Sequence, residues 1–332
     1  MKRTLGRTGI EVSAMGLGSW AIGGPWTMYG GQAGWGTVDD AESTRAIHRA
    51  IELGVTFFDT AATYGAGHSE RVLGQAIKGR RDKIIVGTKF GYNVNETTKE
   101  VVHYGSSDET SEVASHIRSD LEDSLRRLDT DYIDIYQLHV GGLPVDKALE
   151  VRDVLEKLVA EGKIRTYGWS TDRIDAAEAF STSPKCGIVQ QALSVMEGNL
   201  ELLALCERLN LASINRSPLG MGLLTGKFTQ STTFGNDDLR KGMTWHPAFR
   251  DGKPSKNWLD ALDSVREVLT SDGRTLAQGS LAWIWAKSPN TIPVPGFRNV
   301  KQAEENALAM AKGPLTAKQM AEIDRLLGRK GH

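Results

Sequence analysis

The chain has 332 residues, and its 40 Lys and Arg against 41 Asp and Glu give a formal net charge of −1. A balanced charge offers no general attraction to phosphate backbones or anionic lipid, so we expect neither nucleic acid nor a membrane as a partner. No apolar run approaches the ~20 residues of a bilayer-spanning helix, and the N-terminus lacks the apolar core of a signal peptide. Two cysteines and no CxxC or HxxxH motif predict a cytoplasmic protein without a disulfide framework or a metal site.

Strand-like and helix-like segments alternate along almost the whole chain. Residues 2–13 predict an N-terminal β-hairpin. Short apolar runs then predict eight strands, at residues 13–20, 55–60, 83–91, 132–140, 164–171, 187–192, 211–219 and 290–296. Segments with helical spacing separate these strands, including one over residues 107–129 and one for which Ser69 is the expected N-cap. A Gly-rich connection to about residue 257 and two helices precede the eighth strand, and two more helices follow it.

This order of elements indicates the fold class. Short apolar strands are typical of parallel strands buried on both faces, and eight strand–helix units predict a TIM (β/α)8 barrel. We expect a single α/β domain over residues 1–332, with an N-terminal β-hairpin and extra C-terminal helices, because no Pro/Ser-rich linker divides the chain. An open doubly wound sheet is the alternative. Residues 16–21, GLGSWA, match the dinucleotide motif G-x-G-x-x-A but open a Gly- and Trp-rich loop instead of a helix, which argues against a Rossmann fold.

Ionisable side chains stand at the ends of successive predicted strands. The carboxyl ends of barrel strands face one shared mouth. Asp59, Tyr64, Lys89 and His139 lie at or just after the ends of strands two to four, and Ser170, Gln190 and Arg216 lie near the ends of strands five to seven. An unpaired ammonium would be costly in the apolar strand that carries Lys89. We therefore expect Asp59, on the adjacent strand, to be the ionic partner of Lys89.

The four groups at strands two to four suit a particular reaction. A tyrosine has an unperturbed pKa near ~10, and a nearby ammonium that lowers this pKa eases proton transfer near neutral pH. A carboxylate holds the ammonium charged and in place, and an imidazole can donate a hydrogen bond to a carbonyl oxygen. Such a set can protonate an oxygen on which negative charge develops, as hydride addition to a carbonyl requires.

Ordered motifs extend this interpretation over nearly the whole chain. They are DTAATYG, GTKFG, LH, YGWS, SPLGMGLLTGK and PVPG followed by QAEEN. In this order they resemble the motifs of the aldo-keto reductase superfamily, and in particular its branch of bacterial aldose dehydrogenases and potassium-channel β-subunits. The resemblance implies a TIM barrel that binds a nicotinamide cofactor without a Rossmann fold. It also implies a catalytic tetrad, with Tyr64 as proton donor, Lys89 as the modifier of its pKa, Asp59 as the partner of the lysine, and His139 as the group that orients the substrate.

The resemblance also implies contacts to the nicotinamide half of the cofactor. Ser170 and Gln190 match positions that hold the carboxamide, and Thr171 stands where the family often has Asn. Arg216 stands where many relatives stack an aromatic ring on the nicotinamide, and a planar guanidinium can also stack. Ser19, Trp20 and Asp59 complete this part of the implied site.

The other half of the cofactor is implied to meet two later segments. Ser217, Leu219 and Gly220 resemble the loop that binds the pyrophosphate, and Lys227 resembles its charged partner. Gly296, Arg298, Gln302, Glu305 and Asn306 match the adenosine-binding segment. Arg298 would then lie near the ribose 2′-phosphate, and its fork favours NADPH over NADH. Shorter relatives carry a lysine at the position of Gly296, so NADH also stays open as a cofactor.

The sequence narrows the substrate to a class. Trp20 and Trp26, in the loop after the first strand, join Tyr64 and His139 as expected substrate-binding residues, and they suit either a sugar or an aryl aldehyde. We therefore predict a reversible, NADPH-dependent reduction of an aldehyde or ketone. The alternatives are NAD(P)-dependent sugar oxidation, a cofactor-binding regulatory module similar to potassium-channel β-subunits, and a TIM barrel of unrelated chemistry. No tyrosine has a lysine four positions later, which argues against a short-chain dehydrogenase; whether the chain forms a homo-oligomer stays open.

Overall fold

The computed structural model describes residues 1–104 and 112–329. Its central element is a sheet of eight parallel strands: β1 (Gly16–Gly18), β2 (Phe57–Asp59), β3 (Ile85–Phe90), β4 (Ile133–Leu138), β5 (Ile164–Ser170), β6 (Cys186–Ala192), β7 (Ala212–Arg216) and β8 (Thr291–Pro293). The strands neighbour one another in chain order. The sheet closes where Gly18 pairs with Gly296, just after β8. The predicted barrel is therefore confirmed, and the open sheet is wrong.

Helices surround this barrel in the order that the sequence predicts. They are α1 (Asp40–Glu52), α2 (His68–Ala76), α3 (Val113–Leu128), α4 (Val145–Ala160), α5 (Ile174–Phe180), α6 (Leu200–Arg208), α7 (Lys256–Thr270), α8 (Leu276–Lys287), α9 (Val300–Lys312) and α10 (Ala317–Leu326). The helix predicted over residues 107–129 corresponds to α3, and its predicted start lies outside the described residues. Within residues 1–104 and 112–329, no helix combines the length and the hydropathy that crossing a membrane would need.

The N-terminal end of the barrel is closed by the predicted hairpin. Its strands, Lys2–Thr4 and Glu11–Ser13, pair antiparallel. Leu5, Ile10 and Val12 of the hairpin pack against an apolar layer inside the barrel. That layer is formed by inward-facing residues of several strands: Phe57, Ile135, Ile188, Ala212, Ile214, Ile292 and Val294. Substrate-sized molecules therefore have no route through this end, and the open end is the opposite one.

A polar layer lies above the apolar one, two residues further along several strands. Side chains alternate between the faces of a strand, so Phe57 is followed inward by Asp59, Ile135 by Gln137 and Ile188 by Gln190. Asp59, Gln137, Gln190 and Lys89 are all buried. The strand period thus delivers four polar groups to one level of the barrel.

Short strands outside the barrel build up its mouth. Thr27–Met28, Gly31–Gln32, Asn93–Asn95 and Glu100–Val102 form one small sheet that joins the loops after β1 and β3. Phe249–Arg250 and Lys253–Pro254 form a hairpin in the connection between β7 and α7. No sequence pattern predicted the small sheet, because two- and three-residue strands are too short to show a period.

The loop after β2 is fixed by a hydroxyl network and not by the predicted helix cap. The residue before α2 is Gly67, with φ of 85° and no side-chain cap. Ser69 lies inside the first turn of α2, and its Oγ is 2.7 Å from Ser19 Oγ and 3.0 Å from Thr60 Oγ1. The prediction of Ser69 as N-cap is therefore wrong. Its hydroxyl instead connects the end of β1 to the end of β2.

Gly18, at the closing seam, gives a test of this architecture. A Cβ at Gly18 would lie 2.9 Å from the carbonyl oxygen of Val294, so Gly18→Ala forces the backbone of β1 away from β8. We expect a loss of about 1–3 kcal/mol in the free energy of unfolding, measured by urea denaturation. Gly142→Ala is the control, since a Cβ there meets nothing within 4 Å. Equal denaturation midpoints for the two variants would contradict the close approach at the seam.

Candidate active site

Lys89 lies at the centre of the polar layer with no exposed surface. Its Nζ donates hydrogen bonds to Asp59 Oδ2 at 2.6 Å, to the Thr60 carbonyl at 2.8 Å and to Tyr64 Oη at 3.3 Å. β2 and β3 are neighbours, which brings the end of one strand against the lysine of the other. The expected ion pair between Lys89 and Asp59 is confirmed. Asp59 and Tyr64 are thus connected through the lysine.

The second oxygen of Asp59 is held by two amides. Gln137 Nε2 donates to Asp59 Oδ1 at 3.0 Å, and Gln190 Nε2 donates to the same atom at 2.9 Å. Gln190 Nε2 also lies 3.2 Å from Gln137 Oε1. The sequence interpretation missed Gln137. A signal was present, because Gln137 stands two residues before His139 and so faces the same side of β4.

Tyr64 follows β2 in a tight turn and is half-buried. Burial raises the pKa of its phenol above the ordinary value, and the charge of Lys89 opposes this rise without cancelling it. Lys89 therefore acts on the Tyr64 pKa in the direction that the sequence predicted, but burial outweighs it. The consequence is a phenol that holds its proton at neutral pH, with an ammonium in place to stabilise the phenolate once the proton leaves.

The charge states of Lys89 and His139 follow from their surroundings. Burial alone would lower the pKa of Lys89, but the charge of Asp59 and the hydrogen bonds to Asp59 and Tyr64 raise it overall. For His139, burial lowers the pKa well below its usual range, and the cations Lys89 and Arg216 add to this. The site therefore combines an ammonium with a neutral imidazole, which can donate one hydrogen bond.

The four residues Asp59, Tyr64, Lys89 and His139 meet at the mouth of the barrel. The His139 ring stands edge-on to the Tyr64 ring, with centroids 5.9 Å apart. Its Nδ1 lies 3.5 Å from Thr63 Oγ1. Two potential donors, a phenol and an imidazole, thus flank one small volume. Such a volume can receive a carbonyl oxygen between them.

Aromatic side chains wall this volume on the side of the first loop. The Trp20 ring stacks on Tyr64 at 5.7 Å, and Trp35 meets Trp20 edge-on at 5.4 Å. Trp20 Nε1 donates to the carbonyl of Ala33 at 3.0 Å, which fixes the indole. Trp26 is only 4% exposed and packs in the cluster behind Trp20 and Tyr64. The structure therefore gives Trp26 a supporting place behind the wall, while direct contact with a substrate stays a prediction.

Two further rings near His139 were not singled out by the sequence interpretation. Tyr92 stands edge-on to His139 at 5.8 Å, and it stacks on His103 at 5.0 Å. Burial raises the pKa of Tyr92 to about 12. Tyr92 lies three residues beyond Lys89, so its place in the same strand-end loop was the available signal.

The residues predicted to hold the nicotinamide lie along the ends of β1, β5, β6 and β7. Ser170 is buried. Thr171 Oγ1 donates to the Gly141 carbonyl at 3.2 Å, and Ser19 Oγ donates to the Asp59 carbonyl at 3.0 Å. The hydroxyls of Ser19 and Thr171 therefore already bond to main chain. Arg216 forms an ion pair with Asp172 at the rim.

The SPLGMG segment after β7 folds into a tight turn. Ser217, Gly220, Met221 and Gly222 all have positive φ, between 53° and 92°. Within this turn the Gly220 N–H donates to the Ser217 carbonyl at 2.9 Å, and the Gly222 N–H donates to the Leu219 carbonyl at 2.9 Å. A Cβ at Gly220 would lie 2.8 Å from the ring of Trp258, so glycine is required for this shape. Contact of this segment with a diphosphate stays a prediction.

The residues predicted to bind adenosine cluster at the start of α9. Arg298 donates through Nη1 to the Trp35 carbonyl at 2.9 Å and through Nη2 to the Thr37 carbonyl at 2.6 Å. Its backbone N–H donates to Gln302 Oε1 at 2.8 Å. Asn306 Nδ2 donates to the Gly296 carbonyl at 3.2 Å. Of the residues predicted to meet the diphosphate, Leu219 is buried. Burial lowers the pKa of Lys227, and the charges of Arg298 and Glu305 act on that pKa in opposite directions.

Two long loops meet across the mouth. Leu239, from the connection after β7, donates its N–H to the Gly34 carbonyl at 3.1 Å, and Gln32 Nε2 donates to the Asp237 carbonyl at 3.0 Å. Arg240 is buried among aromatic rings, with its guanidinium 4.5 Å from the Phe234 ring centroid. No sequence pattern pointed to Arg240. These contacts hold the first loop against the connection after β7, in which Arg240 Nη1 donates to the Met221 carbonyl of the SPLGMG segment at 3.4 Å.

The buried ion pair supports a stability test. In Lys89→Met, the carboxylate of Asp59 stays buried without its cation, and we expect a loss of about 3–5 kcal/mol in the free energy of unfolding. The double variant Lys89→Met with Asp59→Asn removes both charges, so it should regain most of that loss. Urea denaturation of the three proteins measures both effects. A double variant as unstable as the single one would contradict the pairing as the source of the loss.

Comparisons with known proteins agree with this fold. The protein "Aldo-keto reductase YhdN" of Bacillus subtilis (strain 168) is 32% identical over 327 residues, which cover 96% of this chain and 91% of that protein. The glycerol dehydrogenase AKR11B4 from Gluconobacter oxydans superposes with a TM-score of 0.78 at 29% identity, covering 98% of this chain and 95% of that one. An aldo-keto reductase from Klebsiella pneumoniae, solved in complex with NADPH, gives a TM-score of 0.69 at 26% identity, covering 100% of this chain and 97% of that one.

The family assignment rests on the sequence match and on the barrel together. A family model described as "Aldo/keto reductase family" matches residues 14–327. This range begins just before β1 and ends after α10, so it contains the whole barrel and every residue of the candidate site. The chain therefore belongs to the aldo/keto reductase family of oxidoreductases.

Proposed function

We propose that this protein interconverts a carbonyl compound and its alcohol with NADPH and NADP+ as redox partner, and that Tyr64 donates the proton during reduction. One observation carries the proposal. The buried ammonium of Lys89 contacts both the Asp59 carboxylate and the phenol oxygen of Tyr64. A neutral imidazole, His139, stands beside that phenol. This arrangement suits proton donation to a developing alkoxide.

The names of similar proteins and the residues of the candidate site both support NADPH as the cofactor. A Klebsiella pneumoniae neighbour was solved with NADPH, and the name of a Schizosaccharomyces pombe relative contains NADP(+). In this chain the glycines of the turn at Gly220–Gly222 allow a diphosphate to approach the backbone closely, and the Arg298 fork suits a 2′-phosphate. Ser170, Gln190 and Arg216 would face the nicotinamide, Lys227 the diphosphate, and Gln302, Glu305 and Asn306 the adenosine. When bound, the nicotinamide ring supplies or accepts the hydride.

The chain's own residues would then do the following. His139 donates a hydrogen bond to the substrate carbonyl oxygen, and the Tyr64 hydroxyl donates a second one. As negative charge grows on that oxygen, the proton of Tyr64 moves to it. Lys89 stabilises the phenolate that remains, and Asp59 keeps Lys89 charged and oriented. Trp20 shields the reacting atoms from water by stacking on Tyr64.

Oxidation of an alcohol to a carbonyl compound is a second candidate function, favoured by one comparison. The Gluconobacter oxydans neighbour is named a glycerol dehydrogenase, so its name refers to the oxidation of a polyol. In that direction the phenolate of Tyr64 would accept the proton of a hydroxyl group, with the same residues in the same places. A sugar or another polyhydroxy compound is therefore as suitable a substrate class as an aryl aldehyde.

Replacing Tyr64 tests the assigned proton donor. Tyr64→Phe keeps the ring that stacks on Trp20 but removes the hydroxyl, so we expect reduction of 4-nitrobenzaldehyde by NADPH to fall about 10²- to 10⁴-fold. Absorbance of NADPH measures the rate, and quenching of tryptophan fluorescence measures cofactor binding, which should be nearly unchanged. Tyr132→Phe, which keeps the ring that lies against Arg81, is the matched control.

Two results would count against the proposal in different ways. Activity that persists in Tyr64→Phe would show that another group donates the proton. Tight cofactor binding by the unaltered protein, without turnover of 4-nitrobenzaldehyde or of a panel of aldoses and polyols, would instead favour a cofactor-binding regulatory module similar to potassium-channel β-subunits.

Replacing Arg298 tests the cofactor preference. Arg298→Met removes a charge-assisted contact to the 2′-phosphate worth about 1.5–3 kcal/mol, so the Kd for NADPH should rise about 10- to 100-fold. The Kd for NADH, which lacks that phosphate, should change little. Arg325→Met, on the exposed face of α10, is the control. An equal loss for both cofactors would mean that Arg298 acts only by holding the Trp35 and Thr37 carbonyls.

A further inference from the structure

We propose that the ion pair of Arg216 and Asp172 sets how strongly the site prefers the reduced cofactor over the oxidised one. Arg216 would disfavour the oxidised nicotinamide, and Asp172 would limit that effect. This inference rests on the proposed function, in which a nicotinamide cofactor occupies the mouth of the barrel.

The pair stands at the rim beside the tetrad. Arg216 is the last residue of β7, and its side chain is 36% exposed. Asp172 follows β5, and its Oδ1 accepts the N–H of Ala192 at the end of β6 at 2.8 Å. The pair therefore bridges the ends of three adjacent strands. Its position is fixed by the main chain and not only by the ion pair.

The positive charge of Arg216 reaches into the mouth in spite of its partner. It lowers the pKa of His139, in addition to the larger effects of burial and Lys89. It also opposes the rise that burial causes in the pKa of Tyr64. The positive charge of Arg216 thus acts on His139, just after β4, and on Tyr64, in the loop after β2. A third group placed between them senses the same field.

The proposed reaction would require the nicotinamide ring to lie near these two groups. When bound, the reduced ring would supply a hydride, with its two electrons, to the carbonyl carbon, while Tyr64 donates a proton to the carbonyl oxygen. The reacting atoms must approach within about 3–3.5 Å, and the carbonyl oxygen must contact Tyr64 and His139. A nicotinamide ring that meets both requirements would lie next to the tetrad. It is neutral when reduced and positively charged when oxidised, so a nearby cation acts on one form only.

Removal of each member of the pair should have opposite effects. Without Arg216, the carboxylate of Asp172 remains and attracts the oxidised ring. Without Asp172, the full charge of Arg216 acts on that ring. The remainder of the cofactor is identical in its two forms, so contacts to phosphates and adenine cancel in the ratio of the two dissociation constants. This ratio isolates the charge effect.

The experiment measures binding without turnover. NADP+ and NADPH are titrated separately against the full chain, with tryptophan fluorescence as the signal, and the ratio Kd(NADP+)/Kd(NADPH) is compared between variants. We expect Arg216→Gln to lower the ratio about tenfold and Asp172→Asn to raise it. Arg216→Lys, which keeps the charge but loses the planar group, should keep the ratio. Arg173→Gln, a nearby arginine paired with Asp175, is the control and should leave it unchanged.

The possible results distinguish a failure of this inference from a failure of the proposed function. An unchanged ratio in both Arg216→Gln and Asp172→Asn would overturn the inference, and so would an equal weakening of both cofactor forms in Arg216→Gln. A fall of the ratio in Arg216→Lys that matches Arg216→Gln would assign the effect to stacking and would also overturn it. Failure of the unaltered protein to bind either form would contradict the proposed function instead.

Discussion

The buried ammonium of Lys89 is the constraint around which the barrel interior is organised. An ion transferred from water to a protein interior costs several kcal/mol unless charges and hydrogen bonds compensate it. Here the Asp59 carboxylate, the Thr60 carbonyl and the Tyr64 hydroxyl take the three N–H donors of the ammonium. The compensating carboxylate then needs donors of its own. Gln137 and Gln190 supply them from β4 and β6, so one buried charge determines the side chains of four strands.

The burial that makes the Lys89 ammonium costly also shifts the pKa values of the groups around it. Burial acts on every group in the mouth in the direction of its neutral form. For Tyr64 this raises the pKa, and for His139 it lowers the pKa. For Lys89 the nearby Asp59 reverses the effect of burial. The result is a neutral phenol and a neutral imidazole around a charged lysine, which is the distribution that proton donation to a carbonyl oxygen needs.

Sequence patterns predicted the features that depend on periodicity and order, and missed those that depend on distance. The barrel and the meeting of Asp59, Tyr64, Lys89 and His139 follow from eight strand–helix units and from a shared mouth. The direction of the Tyr64 pKa shift did not follow, because it is a balance between burial and the charge of Lys89 that only coordinates reveal. Ser69 was mistaken for a helix cap, since a hydroxyl near a helix start suits both a cap and a buried network.

Contacts between residues far apart in the chain could not be predicted from the sequence either, and Arg298 makes two of them. Its guanidinium reaches the Trp35 and Thr37 carbonyls, more than 260 residues earlier in the chain. A guanidinium has five N–H donors, so these two bonds leave room for a phosphate in the proposed function. The loop that Arg298 holds also carries Ala33, whose carbonyl fixes Trp20 against Tyr64. The residue proposed to recognise the far end of the cofactor thus also orders the wall that covers the proton donor.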